Sequence, residues 1–323
     1  MTEIKEQIYD TIVIGAGAAG LTAAIYAARR TLKTLVISRD IGGQTATTSE
    51  IENYPGFELI DGITLMTKFK NQAEKYSVSF VNGLVSSLEK SNGLFKVNTE
   101  TESFFGKTII LGFGLAEREL EVPGEKELKG RGISYCATCD APLYRNKAVA
   151  VVGGGNAALD AAELLSKIAN KVYFIHRRDK FSGEQILIDR VNQAKNIEII
   201  FNSQVLEVKG DQKVKSIIIG DFPNGENKKE LAIDGLFVEI GNIAKTDWLK
   251  DLLKLNERGE IIITPDCETN IPGIFAAGDV TSITYKQIVI SAGEGAKAAL
   301  QAYKYLQSKN LDLKDVGDWG KRN

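Results

Sequence analysis

A chain of 323 residues, 43% hydrophobic and 25% charged, has apolar material for more than one core and is not a disordered polymer. Its 40 basic and 42 acidic residues leave a formal net charge of -2, which excludes a general electrostatic drive toward nucleic acid or an anionic membrane. Three cysteines exclude a structural disulfide framework, and no stretch approaches the roughly 18–20 apolar residues that span a bilayer.

The start, MTEIKEQIYD, is polar, and the apolar run after it is too short for a signal peptide, so a cytoplasmic protein is expected. Thr11 to Ile14 read as a strand, followed at once by GAGAAG from Gly15 to Gly20. The alanine-rich segment LTAAIYAARR reads as a helix and Thr34 to Ser38 as a second strand. This is the opening of a dinucleotide-binding fold. Gly15 permits the tight turn, Gly17 lets the backbone approach a pyrophosphate, and Gly20 permits close packing of helix on sheet. The N–H groups at the helix start, with Ala18 beside them, favour an anion. The alternative is a plain glycine turn between core elements; strand and helix on either side favour the nucleotide. The second strand ends in Ser38-Arg39-Asp40, with no acid at its tip, so the ribose contact stays open.

The run SFVNGLVSSLEKSNGLFKVNT alternates apolar and polar residues and carries Asn82-Gly83 and Asn92-Gly93, which predicts antiparallel strands and hairpins. Next come CATC, Cys136 to Cys139, and Asp140. Two thiols separated by two residues can form a small reversible disulfide ring. The alternatives are half of a zinc site or two buried apolar cysteines. Zinc needs further ligands, and only Cys267 and His176 remain elsewhere, so no metal site is expected. The pair sits just before a second nucleotide unit, a placement that suits electron relay. Cys267, alone in PDCETN, reads as a small core or surface residue.

That second unit repeats the grammar of the first, with 138 positions between Gly15 and Gly153. A strand at Ala148 to Val152, a turn at Gly153 to Gly155, a helix through Ala157 to Lys167 and a strand at Lys171 to Ile175 are predicted. The fingerprint is GGGNAA, with Asn156 and Ala157 opening the helix and Ala158 in the sixth position. The strand ends in His176-Arg177-Arg178; arginines there suit a 2′-phosphate and favour NADPH over NADH. The alternative is a solvated charged turn, and His176 reads as structural or phosphate-contacting rather than as a general base. IEIIFNSQVLEVKGDQKVKSIII again alternates and predicts antiparallel strands. Toward the end, Gly273 to Gly278 read as a strand, Asp279 as a partner for a sugar-like hydroxyl, and SAGEGAKAALQAYKYLQ as a helix. The tail DLKDVGDWGKRN reads as a surface extension.

The expected fold class is α/β, with two Rossmann-like dinucleotide-binding domains, the second inserted into the first, and antiparallel β-meanders. The expected boundaries are 1–118 and 247–323 for the first domain and 119–246 for the insert.

Taken together, GAGAAG, GGQ at Gly42 to Gln44, ENYPGF at Glu52 to Phe57, VPGE at Val122 to Glu125, YCATCD, VVGGGNAALDAA, HRRDKF and AAGDV resemble the low-molecular-weight thioredoxin reductase family over nearly the whole chain. YKQIVISAGEGAKAA also looks like the reductase portion of alkyl hydroperoxide reductase flavoproteins. The resemblance implies FAD in the discontinuous domain, NADPH in the insert and a homodimer. It implies Gly15, Gly17 and Gly20 around the FAD pyrophosphate, and Gly43, Gln44 and Asn53 along the flavin. Asp279 would lie on the ribityl or phosphate region, with Gln287 and Ile288 near the ring. Cys139 would face the flavin, Cys136 would attack the partner's disulfide, and Asp140 would serve as acid–base group. Electrons would run to a thioredoxin-like protein, with a domain rotation alternating the dithiol between its two partners. Two departures stand out. The family's HRRxxxR has Ser182 in place of its last arginine, leaving room for NADH or a donor such as ferredoxin. Its ATG turn reads LGFG at Leu111 to Gly114.

Overall fold

The computed structural model describes residues 7–48, 51–91 and 93–309. They fall into two compact units, one of Met1–Ala116 with Ile243–Asn323 and the other of Glu117–Asn242. The second unit is thus inserted into the first.

The first unit opens with β1 (Ile8–Ile14), α1 (Ala18–Arg29) and β2 (Thr34–Ser38). It continues through α2 (Gly62–Glu74), β3 (Ser79–Asn82), β4 (Val85–Ser91), β5 (Leu94–Thr99) and β6 (Ser103–Leu111). The sheet runs in the order β3-β2-β1-β6-β5-β4, and a late strand, Ile274–Ala276, pairs in parallel with β6. β3, β2, β1 and β6 are parallel to their neighbours, whereas β4, β5 and β6 form an antiparallel meander. The near-continuous apolar runs follow from burial on both faces. Val13, Val36 and Ile110 point into the core shared with α1 and the helix Ile288–Ser308. Their neighbours Ile12, Ile14, Leu35, Ile37, Ile109 and Leu111 point into a second core against the meander. α1 packs its small face closely on the C-terminal helix: a Cβ at Gly295 would stand 2.1 Å from the Ala19 carbonyl oxygen. α2 starts where the Asp61 side chain accepts from the Thr64 amide at 2.8 Å, an N-cap that satisfies one of the orphan donors of the first turn.

The inserted unit is built on five parallel strands in the order Ile197–Ile200, Lys171–Ile175, Ala148–Gly153, Gly235–Glu239 and Ile133–Ser134. Helices Asn156–Ser166 and Gln185–Gln193 cover it. Ser203–Gly210, Val214–Asp221 and Lys229–Ala232 form a separate antiparallel sheet.

Two sequence expectations are corrected. Asn82-Gly83 is no hairpin turn: Asn82 ends β3, which pairs in parallel with β2, and the chain passes on to a strand at the sheet's other edge. Ile197–Ile200, read as part of a meander, instead completes the parallel sheet beside Lys171–Ile175. In both cases a short apolar run carries no mark of the strand it will pair with. The other hairpin forms, with Ser91 opposite Leu94 and Gly93 at φ +79°, although Asn92 itself lies outside the described residues. The tail DLKDVGDWGKRN also lies outside them.

Candidate functional site

In the first unit the three glycines have three different surroundings. Gly15 turns with φ +104°, and a Cβ there would come within 2.5 Å of the Phe113 Cα. A Cβ at Gly20 would stand 1.9 Å from the Gly15 carbonyl oxygen, so helix and turn are in backbone contact. Gly17, the N-cap of α1, is open: a Cβ there would meet one atom, the Gly42 oxygen at 3.8 Å. No side chain caps α1, so its first amides, with Ala18 leading, are available to an anion. The Gly42–Gln44 segment is tied against this opening. The Gly42 amide donates to the Ala16 carbonyl at 2.8 Å, and the Gly43 amide to Asp40 Oδ1 at 3.1 Å. Ser38 at the tip of β2 accepts from the Ala16 amide at 3.2 Å, so this residue braces the turn.

Residues far apart in sequence meet here. Asn53 Nδ2 donates to Gln287 Oε1 at 3.1 Å, across 234 positions. Gln287 is the N-cap of the helix Ile288–Ser308, whose first residue, Ile288, packs against the core. Asp279 accepts from the Ser291 hydroxyl at 2.9 Å through Oδ1. Sequence reasoning missed Lys286 and Glu294. The Lys286 ammonium donates to the Asp279 carbonyl at 3.0 Å and pairs with Glu260 at 3.0 Å. Buried Glu294 accepts from the Gly278 amide at 3.1 Å. The open glycine, the uncapped helix and the converging polar groups fit a dinucleotide with a polar ring system. In the altered turn, the Gly112 amide donates to the Ile14 carbonyl at 2.8 Å, while Phe113 packs on Trp248 with ring centroids 5.8 Å apart.

The second unit holds its own version. Gly155 caps the helix Asn156–Ser166 with no side-chain cap, and a Cβ there would meet nothing within 4 Å. Ala158, in the sixth position, is buried against Gly153, where a Cβ would come within 2.5 Å of the Ala158 Cβ. His176 is buried behind this turn rather than beside it. Its ring packs near Phe181 and Phe201, and a Cβ at Gly154 would stand 2.1 Å from its Cε1. Nε2 contacts the Lys180 carbonyl at 3.0 Å, and burial holds the imidazole below its ordinary pKa. Arg177 and Arg178 are exposed at the strand tip, with Arg177 over the Phe222 ring at 5.7 Å. Ser182 is bound to the turn itself: its amide and hydroxyl reach the Gly154 carbonyl at 2.8 and 3.1 Å. Asn156 and Glu184 exchange two bonds, of 3.0 and 2.8 Å, which strap the following loop to the helix start. Ala157 follows Asn156 in the first turn of that helix and is exposed.

Cys136 and Cys139 form a disulfide with Cα atoms 5.4 Å apart, on the helical turn Ala137–Asp140. The Cys139 amide points at Cys136 Sγ at 3.3 Å, and the Asp140 amide donates to the Cys136 carbonyl at 3.2 Å. Ser134 braces the approach, bonding both the amide and the carbonyl of Cys136 at 3.1 Å. Tyr135 anchors through its hydroxyl to buried Glu125 at 2.7 Å. At this turn sequence reasoning also missed Glu239, whose Oε1 accepts from the Ala137 amide at 3.2 Å. Its signal is an acid closing the apolar strand GLFVE. Burial pushes its carboxyl up to about 7, partly offset by that amide. Cys267 is buried 27 positions from its contact at the Glu294 carbonyl, and burial pushes its thiol up to about 12. A thiol so held is not a nucleophile. Among the described residues no cluster of three His, Cys, Asp or Glu could hold a metal ion. Among them, too, no helix is long and apolar enough to cross a membrane.

The model for the pyridine nucleotide-disulphide oxidoreductases matches residues 9–300. The alkyl hydroperoxide reductase F protein of Staphylococcus aureus is 40% identical over 94% of this chain, which spans 60% of that protein's length. A thioredoxin reductase of Listeria innocua is 38% identical, covering 94% of this chain and 95% of the relative. The crystal structure of Lactococcus lactis thioredoxin reductase superposes with a TM-score of 0.80 at 40% identity, covering 93% of this chain and 99% of that one. The chain belongs to the pyridine nucleotide-disulphide oxidoreductases and, within them, to the thioredoxin reductase family of flavoenzymes.

Proposed function

We propose that this chain is a cytoplasmic, homodimeric disulfide reductase that uses NADPH and FAD to reduce a thioredoxin-like protein through Cys136 and Cys139. The carrying observation is that the dithiol turn and the second glycine turn are held by one residue. Glu239 pairs with Gly153 in the sheet and binds the Ala137 amide through its side chain. A dithiol built into the frame of a nucleotide site suits electron relay.

Bound FAD would supply two-electron chemistry between a nicotinamide and a disulfide. The chain's own residues bind, orient and move protons. Gly17 and the first amides of α1 receive the FAD pyrophosphate, with Gly43 and Gln44 alongside. The Asn53–Gln287 pair and Asp279 position its polar edges. Gly155 and the amides of Asn156, Ala157 and Ala158 receive the nicotinamide dinucleotide, and Arg177 and Arg178 supply charge for a 2′-phosphate. His176 supports that turn from behind. In the reduced dithiol Cys136 attacks the partner's disulfide as thiolate, and Cys139 resolves the mixed disulfide. Asp140, one residue beyond Cys139, serves as the acid–base group for these exchanges.

Anaerobic mixing of the purified yellow protein with NADPH and, separately, with NADH tests the donor. Fast bleaching of the flavin band with NADPH and slow bleaching with NADH is expected. Fast bleaching with NADH would instead favour a peroxiredoxin-linked role, in line with the hydroperoxide reductase relatives. Bleaching by neither would overturn the nicotinamide assignment and point to a donor such as ferredoxin. Light scattering on the purified protein checks the homodimer.

A further inference from the structure

Glu239 joins the two halves of the scheme above, yet the scheme gives its carboxyl no proton to carry. Its main chain closes the strand Gly235–Glu239 opposite Gly153, and its carbonyl lies so near that a Cβ on Gly153 would come within 2.3 Å of it. Its carboxyl leaves that strand and accepts from the peptide N–H that directly follows Cys136. The carboxyl is partly buried and has one amide to stabilise its charge, which holds it near neutrality at about 7. The titratable groups on the surrounding elements are Asp140 on the dithiol turn, the two cysteines themselves, Tyr144 against the strand's start at Gly235, Asp160 and Glu163 on the helix Asn156–Ser166, and His176 behind Gly154. Burial holds the His176 imidazole below its ordinary pKa. Asp234 lies before the far end of the strand.

We propose that Glu239 is a positioning residue for the dithiol that takes up a proton when Cys136–Cys139 is reduced and releases it on reoxidation. The inference rests on the redox reading of the pair. Two electrons and one proton convert the disulfide to one thiol and one thiolate, breaking the S–S bond and adding one negative charge beside the turn. A second negative charge on Glu239 is then disfavoured, so the carboxylate binds a proton from solvent. The overall change is disulfide, carboxylate, two electrons and two protons to thiol, thiolate and carboxylic acid. When the partner's disulfide is reduced, the electrons and both protons leave again. The arrangement limits the charge created on each turnover and ties the dithiol's reducing power to pH near neutrality.

The test is a thiol–disulfide equilibrium of the flavin-loaded protein with dithiothreitol buffers between about pH 5.5 and 9, a range that brackets the carboxyl's titration. Samples are quenched in acid, and free thiols are counted above the one contributed by Cys267. Wild-type protein should show a break in the pH dependence near 7. Glu239→Gln keeps an acceptor for the Ala137 amide but cannot ionise, and the break should vanish. Glu239→Asp, whose shorter side chain gives up the Ala137 amide, should move the break away from its wild-type position, and it serves in place of the glutamine variant if that one fails to fold. Wild-type and glutamine curves of the same shape, or an aspartate break unmoved from the wild type's, would overturn the role of Glu239. A wild-type disulfide that dithiothreitol never opens would instead overturn the redox reading of the pair.

Discussion

The chemistry at the residue scale turns on three side chains and one missing one. Cys136 and Cys139 form the disulfide on which the proposed relay rests, so Cys136→Ser should leave bleaching of the flavin by NADPH intact and abolish reduction of a thioredoxin disulfide. A variant that still turned over at the native rate in an insulin-coupled assay would remove Cys136 from the relay. Gly154 is the missing side chain. A methyl there would stand 2.1 Å from the His176 ring, which Phe181 and Phe201 hold in place. Gly154→Ala should therefore cost on the order of 2 kcal/mol of stability, the scale of an overpacked core, and weaken nicotinamide binding. A urea midpoint and a dinucleotide titration check both. The CATC motif and the glycines are legible in the sequence because their spacing is their chemistry. Glu239 is not, because a single acid ending a strand looks like any surface acid until the sheet brings it to Ala137.

At the scale of elements, helix starts do most of the work. α1 and the helix Asn156–Ser166 both begin at an open glycine with no side-chain cap, which leaves their first amides for a ligand. α2 begins instead with a conventional cap, so Asp61→Ala should cost about 1 kcal/mol, visible in thermal denaturation, without changing flavin content. Gly20→Ala should behave oppositely. Its Cβ would collide with the Gly15 carbonyl at 1.9 Å, force α1 away from the turn, and yield protein that purifies largely colourless. The strand–turn–helix units are legible to within a few residues, since apolar runs alone place Thr34–Ser38 and Lys171–Ile175. Asn82-Gly83 misleads because a turn dipeptide carries no information about which strands flank it.

On the scale of the whole molecule, stability carries a pH signature. Burial lifts the Glu239 carboxyl from its ordinary 4.5 to about 7, so the folded chain holds this proton more tightly than the unfolded chain does. Its contribution is complete below about pH 4.5 and is lost as the pH rises through about 7, on the order of 2 kcal/mol after allowance for partial exposure. Urea midpoints followed by circular dichroism should fall between about pH 5 and 8 in the wild type, and Glu239→Gln should flatten that fall.

By itself the sequence determined where the two strand–glycine turn–helix units and the two closely spaced thiols lie, because these depend on local spacing: glycines at fixed intervals, thiols two residues apart, apolar runs of strand length. Only the tertiary structure decided which distant residues meet. Asn53 finds Gln287 across 234 positions, and Glu239 finds Ala137 across 102. Such pairs are set by the order in which strands enter a sheet. The pairing register places every side chain at once, and no local pattern encodes it.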